Sequence, residues 1–271
     1  MSIIEPILLS PCQDKQYKEI DKQAANRASF FGDGIFETMI FSNGKIRFAK
    51  AHEERMNLGL EKLKIQSQGL SSLGQLEKFL LEDYGKTCNL RIRWNIFRAG
   101  LRKYTPQQSL AEETIMIASH SSPPLIKNSA YFSSTINVPF SPWANCKTLN
   151  ALTYVMANIE RNEKKMDEVI LLDDKGNISE AGAANIFWIK DNTFYTPSLN
   201  CNCIAGIGRR MIIETIKKTG RKLNTGEYNE ENLLSAEQVF TSNVTGIAYI
   251  KKIKETDFDT QPISFIEDLF I

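Results

Sequence analysis

Histidine is nearly missing from this chain of 271 residues: His52 and His120 are the only two. A histidine-rich metal centre is thereby excluded, and a Ser-His or Cys-His triad has few candidates. Neither sign of charge is in excess, because 33 Lys plus Arg face 32 Asp plus Glu and leave a net +1. No global field exists to attract nucleic acid or anionic lipid. No stretch approaches the roughly 18 consecutive apolar residues of a membrane span. The start, MSIIEPILLSPCQDK, lacks a basic segment ahead of its short apolar run, as a secretory signal would need. These absences predict a cytoplasmic protein with neither a membrane nor a nucleic-acid partner. Five cysteines, Cys12, Cys88, Cys146, Cys201 and Cys203, are odd in number and scattered, unlike the framework of a small secreted domain, so reduced thiols are expected. No internal repeat is visible, which excludes a solenoid. Chemistry must therefore lean on lysine, arginine and carboxylates, or on a cofactor.

Hydrophobic residues make up 42% of the chain and charged residues 24%, the balance of a folded globular protein rather than a disordered one. The length suits one large domain or two modest ones. Ser42-Asn43-Gly44 marks a hairpin turn within residues 35–49, since Asn-Gly supplies the positive φ values a tight turn needs. Met56, Leu60 and Leu63 recur at i, i+4 and i+7 and predict a helix from Ala51 to about Ile65, and a second is expected from Leu73 to Tyr84. Leu90, Ile92, Trp94 and Ile96 alternate with Arg91, Arg93 and Asn95, a strand with one apolar and one polar face. A further strand is expected over Thr114–Ser119. The break His120-Ser121-Ser122-Pro123-Pro124 then divides a smaller N-terminal α/β domain, 1–119, from a linker, 120–127, and a larger C-terminal domain, 128–271.

In the second half Leu152, Val155, Met156 and Ile159 lie at helical spacing. Glu168–Asp173 reads as a strand, Asp174–Asn177 as a turn, and Asn185–Lys190 with Thr193–Thr196 as a hairpin around Asp191-Asn192. Gly206-Ile207-Gly208 opens a helix that ends near Thr219 with Gly220 at C′, and Gln238–Ser242 and Gly246–Ile253 supply the last strands. The pattern predicts helices packed on antiparallel or mixed sheet.

Lys147 precedes a helix, in Cys146-Lys147-Thr148-Leu149-Asn150, and Glu180 ends a strand in Ser179-Glu180-Ala181-Gly182. Gly206-Ile207-Gly208-Arg209 offers unpaired N–H groups and a positive dipole end to an anion such as phosphate, although an ordinary helix start has the same residues. Met211 stands where a G-x-G-x-x-G fingerprint needs its third glycine, so a dinucleotide fold is not supported. Cys201-Asn202-Cys203 has no second pair or nearby histidine to complete a metal site and reads as a loop with small packing residues.

Phe31-Gly32-Asp33-Gly34-Ile35-Phe36-Glu37-Thr38, His52-Glu53-Glu54-Arg55, Lys147-Thr148-Leu149-Asn150, Glu180 with Asn185-Ile186-Phe187-Trp188, and Gly206-Ile207-Gly208-Arg209 occur in that order. Together they resemble the class IV aminotransferases, pyridoxal-phosphate enzymes of fold type IV, over most of the chain. The resemblance implies an α/β (α+β type) fold with two domains, the cofactor at their interface, and a homodimer. It implies that Lys147 forms a Schiff base with pyridoxal 5′-phosphate and carries the Cα proton, a task suited to an amine whose pKa falls on desolvation. It implies that Glu180 binds the pyridine nitrogen. Arg55, helped by the N–H groups of Ile207 and Gly208 and by the Asn243-Val244 turn, would hold the phosphate; read alone, Arg55 is a surface helix pair.

The same resemblance places Phe31 and Phe36 in the substrate pocket, though phenylalanines flanking a hairpin serve equally as core. Arg93 matches a position that binds a substrate carboxylate in some relatives, or else lies on a solvated sheet face. The implied activity is amino-group transfer between an amino acid and a 2-oxo acid. The alternative is aminodeoxychorismate lyase, releasing pyruvate and 4-aminobenzoate, for which Thr38 is a candidate proton relay; a non-catalytic cofactor-binding protein is a third. Leu152 and Ala184 stand where branched-chain enzymes usually carry tyrosine and glutamate, which argues against branched-chain specificity.

Overall fold

A computed structural model describes residues 7–11, 16–19, 26–100, 104–122 and 124–271; Cys12 and Pro123, singled out above, lie outside them. The chain divides into two compact units, 1–121 with 146–150, and 122–145 with 151–271.

In the first unit the elements run β1 (Ile7–Pro11), β2 (Tyr17–Glu19), α1 (Arg27–Phe31), β3 (Gly34–Ser42), β4 (Lys45–Ile46), α2 (Ala49–Lys62), α3 (Leu73–Tyr84), β5 (Leu90–Arg98) and β6 (Ala111–Ser119). The strands form one antiparallel sheet in the order β2-β1-β6-β5-β3-β4. The expected hairpin is β3–β4, with Asn43 and Gly44 both at positive φ, 54° and 79°. Strand alternation sorts its two faces. Ile35, Met39, Phe41, Leu90, Ile92, Trp94, Ile96, Ile115 and Ile117 join Met56 and Leu60 of α2 and Leu73, Leu76 and Leu80 of α3 in one core. The opposite face carries Phe36, Thr38 and Ile40 of β3 in register with Asn95, Arg93 and Arg91 of β5.

The second unit runs β7 (Ile126–Lys127), β8 (Ala130–Val138), α4 (Leu152–Glu163), β9 (Glu168–Asp173), β10 (Ile178–Ala181), β11 (Asn185–Lys190), β12 (Thr193–Pro197), α5 (Ile207–Lys218), β13 (Lys222–Gly226), α6 (Glu230–Leu234), β14 (Gln238–Asn243), β15 (Gly246–Ile250), β16 (Lys252–Ile253), β17 (Thr256–Asp257) and α7 (Ser264–Glu267). Its two mixed sheets have the orders β10-β9-β8-β16-β17 and β13-β12-β11-β14-β15-β7. Phe132, Ile170, Ile178, Ile186, Trp188, Val239 and Ile250 pack these sheets on one another. Ile212 and Ile216 of α5, with Ile266 of α7, cover Phe187, Phe240 and Tyr249 on the outer face of the six-stranded sheet. Ala157 of α4 packs with Val138, Val169 and Leu171 of the five-stranded one.

Three features depart from the sequence reading. The stretch expected as a linker, 120–127, contains β7, which pairs in parallel with β15. Cys146–Asn150, expected in the C-terminal domain, clusters with the first unit. The reason is backbone pairing: Phe36 N–H donates to the Lys147 carbonyl at 2.9 Å, Leu149 N–H donates to the Gly34 carbonyl at 2.9 Å, and Ile35 bridges Thr148. Finally, the apolar stripe of α4 does not enter a core, because Leu152, Val155, Met156 and Ile159 are all exposed.

Candidate functional site

The first unit gathers a lysine and an arginine on one aromatic ring. Lys147 Nζ lies 4.4 Å, and the Arg93 guanidinium carbon 3.7 Å, from the centre of the Phe36 ring. Such a ring face attracts cations, and more so where water is excluded; Phe36 is 8% exposed. Arg93 is further oriented by its Nε–H, which donates to Asn95 Oδ1 at 2.9 Å, while Asn95 donates to Thr114 at 3.2 Å. Burial first, and the neighbouring Arg91 second, push the Arg93 pKa below its usual value. Thr38 stands directly across from Arg93 and is buried. Phe31, in contrast, sits on α1 with Tyr104, 5.6 Å between ring centres, and with the Arg27 guanidinium 4.7 Å away.

Two glycines allow the lysine-bearing segment to reach this strand. Gly32 has a left-handed φ of 61° and its Cβ position lies 3.0 Å from Asn150, while a Cβ on Gly34 would come within 2.2 Å of the Ile96 carbonyl oxygen. Asp33 fixes the turn between them. It accepts from Arg27 Nε at 2.8 Å and from Arg98 Nε at 3.0 Å, and Arg98 in turn donates to the carbonyls of Leu63 and Lys64 beyond α2.

On the core face of the same sheet, Glu37 is almost wholly buried. Arg55 donates to both of its oxygens, Nε to Oε1 at 2.8 Å and Nη2 to Oε2 at 2.5 Å, and His52 Nδ1 lies 2.6 Å from Oε2. An ionised carboxylate only accepts, so Nδ1 carries the proton. Burial alone would push the Glu37 carboxyl up; the Arg55 guanidinium, helped by His52, outweighs it and holds the pKa down at about 2. Arg55 is therefore an internal ion-pair member rather than a surface helix pair.

The second unit holds the other expected residues. Glu180 is buried, accepting from the Tyr154 hydroxyl at 2.6 Å, the Ile204 N–H at 3.1 Å and Asn185 Nδ2 at 3.3 Å. Burial and the adjacent Glu180 push the Tyr154 phenol far up, so it stays a donor. Gly206, Ile207 and Gly208 open α5, with Gly206 at the N-cap. A Cβ on Gly208 would sit 2.5 Å from the Asn243 carbonyl oxygen and 2.7 Å from Ser242 Oγ, and one on Gly206 would sit 1.9 Å from Asn185 Oδ1. Ser242 Oγ is buried there with no hydrogen-bond partner among the described residues. The Asn243 side chain shapes its own turn, accepting from the Thr245 N–H at 2.8 Å, and Val244 is buried. Arg209 is also buried, donating to the Pro197 carbonyl at 2.9 Å. Cys201 and Cys203 are buried thiols that point at backbone carbonyls.

Sequence reading gave no role to Glu37, Tyr154 or Asn185, and placed Ser242 only within the Ser242-Asn243-Val244 turn beside the phosphate. Glu37 was visible as the one charge in an otherwise apolar strand, and Tyr154 only as another aromatic on an apolar helix. Because the folded Glu37 pKa lies below its usual 4.5, its contribution to stability is full above pH ~4.5 and vanishes as pH falls through about 2. Glu37→Gln is expected to lose roughly 3–5 kcal/mol at pH 7, since it removes the buried carboxylate that pairs with the part-buried Arg55 guanidinium, and to flatten stability across that acid window. Urea denaturation from pH 7 to pH 2 measures both; an unchanged pH profile would contradict the assignment.

Residues 34–253 match the family model for amino-transferase class IV. The aminodeoxychorismate lyase of Bacillus subtilis is 31% identical over 238 residues, covering 85% of this chain and 81% of the lyase. A branched-chain aminotransferase of Thermoproteus uzoniensis, solved with norvaline, superposes with a TM-score of 0.84 at 20% identity over 99% of this chain and 94% of that one. An aminotransferase from Brucella abortus bound to the co-factor PLP gives 0.82 at 18% identity over 97% and 98%. The chain belongs to the class IV aminotransferase family.

Proposed function

We propose that the chain is a pyridoxal-5′-phosphate-dependent aminotransferase that moves an amino group between an amino acid and a 2-oxo acid. The observation that carries the reading is the pairing of Lys147 and Arg93 on the Phe36 ring. An amino acid presents an amine and a carboxylate on one carbon, and a reactive amine beside a guanidinium matches both. When bound, pyridoxal phosphate supplies an aldehyde that exchanges amino groups and a ring that takes up electrons as the Cα bond breaks.

The residues present fit that cofactor. The first N–H groups of α5, at Ile207 and Gly208, lie at a helix start where intrahelical partners are lacking, a Cβ at 208 would strike the Asn243 carbonyl and Ser242 Oγ, and Ser242 Oγ is a buried polar atom with no partner among the described residues; this donor set suits a phosphate. In the first unit Arg55, held by Glu37, offers a guanidinium of fixed orientation. Glu180, fixed by its three donors, offers a carboxylate to the pyridine nitrogen and keeps it protonated. Lys147 takes the Cα proton and returns it, and Arg93 holds the substrate carboxylate against Phe36. Phe31 completes the proposed pocket wall.

A second reading, aminodeoxychorismate lyase, is favoured by the 31% identical Bacillus relative. In it Thr38, buried across from Arg93, hands a proton to the departing pyruvate. Product analysis separates the two. The aminotransferase accumulates pyridoxamine phosphate when the holoenzyme meets single L- or D-amino acids. The lyase instead releases pyruvate and 4-aminobenzoate from aminodeoxychorismate and returns the cofactor as aldehyde; neither product would contradict both readings.

The proposed working unit is a homodimer. Leu152 is 64% exposed and Val155 52%, on one side of α4 with Met156 and Ile159, and Phe140 and Trp143 are exposed in the segment before that helix. Contiguous apolar surface of this kind marks an interaction site. Light scattering is expected to give twice the chain mass, and the double variant Val155→Asp, Ile159→Asp to give the monomer. A monomeric wild type at micromolar concentration would overturn the assignment.

A further inference from the structure

Within the second unit, Glu180 is reached by a side chain from a helix that carries no other residue of the proposed site. Tyr154 stands in the first turn of α4 and donates its hydroxyl to Glu180 Oε1 at 2.6 Å. The Ile204 N–H and Asn185 Nδ2 donate to the same carboxylate from farther off, 3.1 and 3.3 Å. Packing holds the phenol ring, which lies against the core of Val138, Ala157, Val169 and Leu171. One turn along α4, Asn158 Nδ2 donates to the Tyr154 carbonyl at 2.8 Å and to the Gly182 carbonyl at 2.9 Å. Gly182 comes two residues after Glu180, and a Cβ there would lie 2.8 Å from Val169 Cγ1 and 3.1 Å from Asn158 Nδ2. The helix and the end of β10 are thus joined at two points, and the phenol has a fixed place from which to meet the carboxylate.

Distance and chemistry make this the strongest of the three bonds. An O–H···O⁻ contact of 2.6 Å is the short, charge-assisted kind, about twice as strong as a bond between neutral groups. The phenol also keeps its proton, because burial, and then the charge of Glu180, raise its pKa far above the usual value. Glu37 in the first unit is met by a guanidinium, whereas these three donors to Glu180 are neutral. They lend hydrogen bonds without cancelling the carboxylate's charge, as suits a group that is to pair with a cationic ring nitrogen. A donor at one oxygen of a carboxylate favours the charged form and so weakens its hold on a proton.

We propose that Tyr154 is a positioning residue that acts through Glu180: by holding Oε1 it decides whether the proton between this carboxylate and the pyridine nitrogen of pyridoxal phosphate rests on nitrogen or on oxygen. The proposal rests on the functional reading above and deepens it. With the phenol in place the proton stays on nitrogen, and the ring draws electrons strongly. Without it the carboxylate competes better for the proton and the ring loses part of that pull. Substrate binding is not routed through this bond, so the loss falls on turnover rather than on KM.

The ring nitrogen itself reports the outcome. In the holoenzyme loaded with pyridoxal phosphate isotope-labelled at that atom, its NMR signal is expected at the protonated value in the wild type. Tyr154→Phe, which removes one oxygen and keeps the ring in its packing, should displace the signal toward that of neutral pyridine. The same variant should lower kcat about 10–100-fold, the scale of a lost hydrogen bond to a charged group, with KM changed by less than about threefold. The analogue para-aminophenylalanine at position 154, a weaker donor of similar shape, should move the signal part of the way, and it carries the test if Tyr154→Phe does not fold. A side chain that only held the fold would lower the melting temperature and leave the nitrogen signal unmoved. That result in either variant, or a neutral nitrogen in the wild type, would overturn the proposal while leaving the cofactor in place. A chain that takes up no pyridoxal phosphate would overturn the functional reading and the proposal with it.

Discussion

The placement of the reactive lysine depends on a short antiparallel contact made by backbone alone. Gly34 and Phe36 at the start of β3 grip Lys147 and Leu149 through two hydrogen bonds of 2.9 Å. This fixes a lysine, otherwise among the most mobile of side chains, relative to the sheet carrying Phe36, Thr38 and Arg93. The contact explains why Gly32, Asp33 and Gly34 occur together. A side chain at 34 would strike the neighbouring strand, one at 32 would be strained and crowd Asn150, and Asp33 ties the turn to Arg27 and Arg98. A sequence signature that could pass for a simple turn is thus the mount of the reactive segment.

Buried charge forms a second level of organisation. Glu37 and Glu180 are both buried, and a buried carboxylate is costly unless donors reach it. Glu37 receives two guanidinium hydrogen bonds and an imidazole, so Arg55 is held in one orientation. Glu180 receives a phenol, an amide and a backbone N–H. In each case a carboxylate costly to bury is stabilised by groups whose positions it fixes in return.

Much of this was legible in the sequence because it rests on local signals. The Asn43-Gly44 hairpin, the helices beginning at Leu73 and Ile207, the β11–β12 hairpin at Asp191-Asn192 and Gly220 after α5 follow from turn chemistry and periodicity. The association of Cys146–Asn150 with the first unit was not legible, since it pairs residues more than a hundred positions apart through backbone atoms that carry no residue identity. Nor was the fate of the α4 stripe, because apolar spacing reports that a helix face avoids water without saying what covers it. Tyr154 was hidden for a related reason: its partner, Glu180, lies 26 residues away on another element.

The central claim is that Lys147 is the residue that bonds to the cofactor. Borohydride reduction of the pyridoxal-phosphate-loaded protein, followed by peptide mass analysis, tests it most directly. The account predicts a single reduced pyridoxyl adduct on the peptide containing Cys146-Lys147-Thr148, lost in Lys147→Ala. An adduct on any other lysine, or none in a protein that has bound the cofactor, would contradict it.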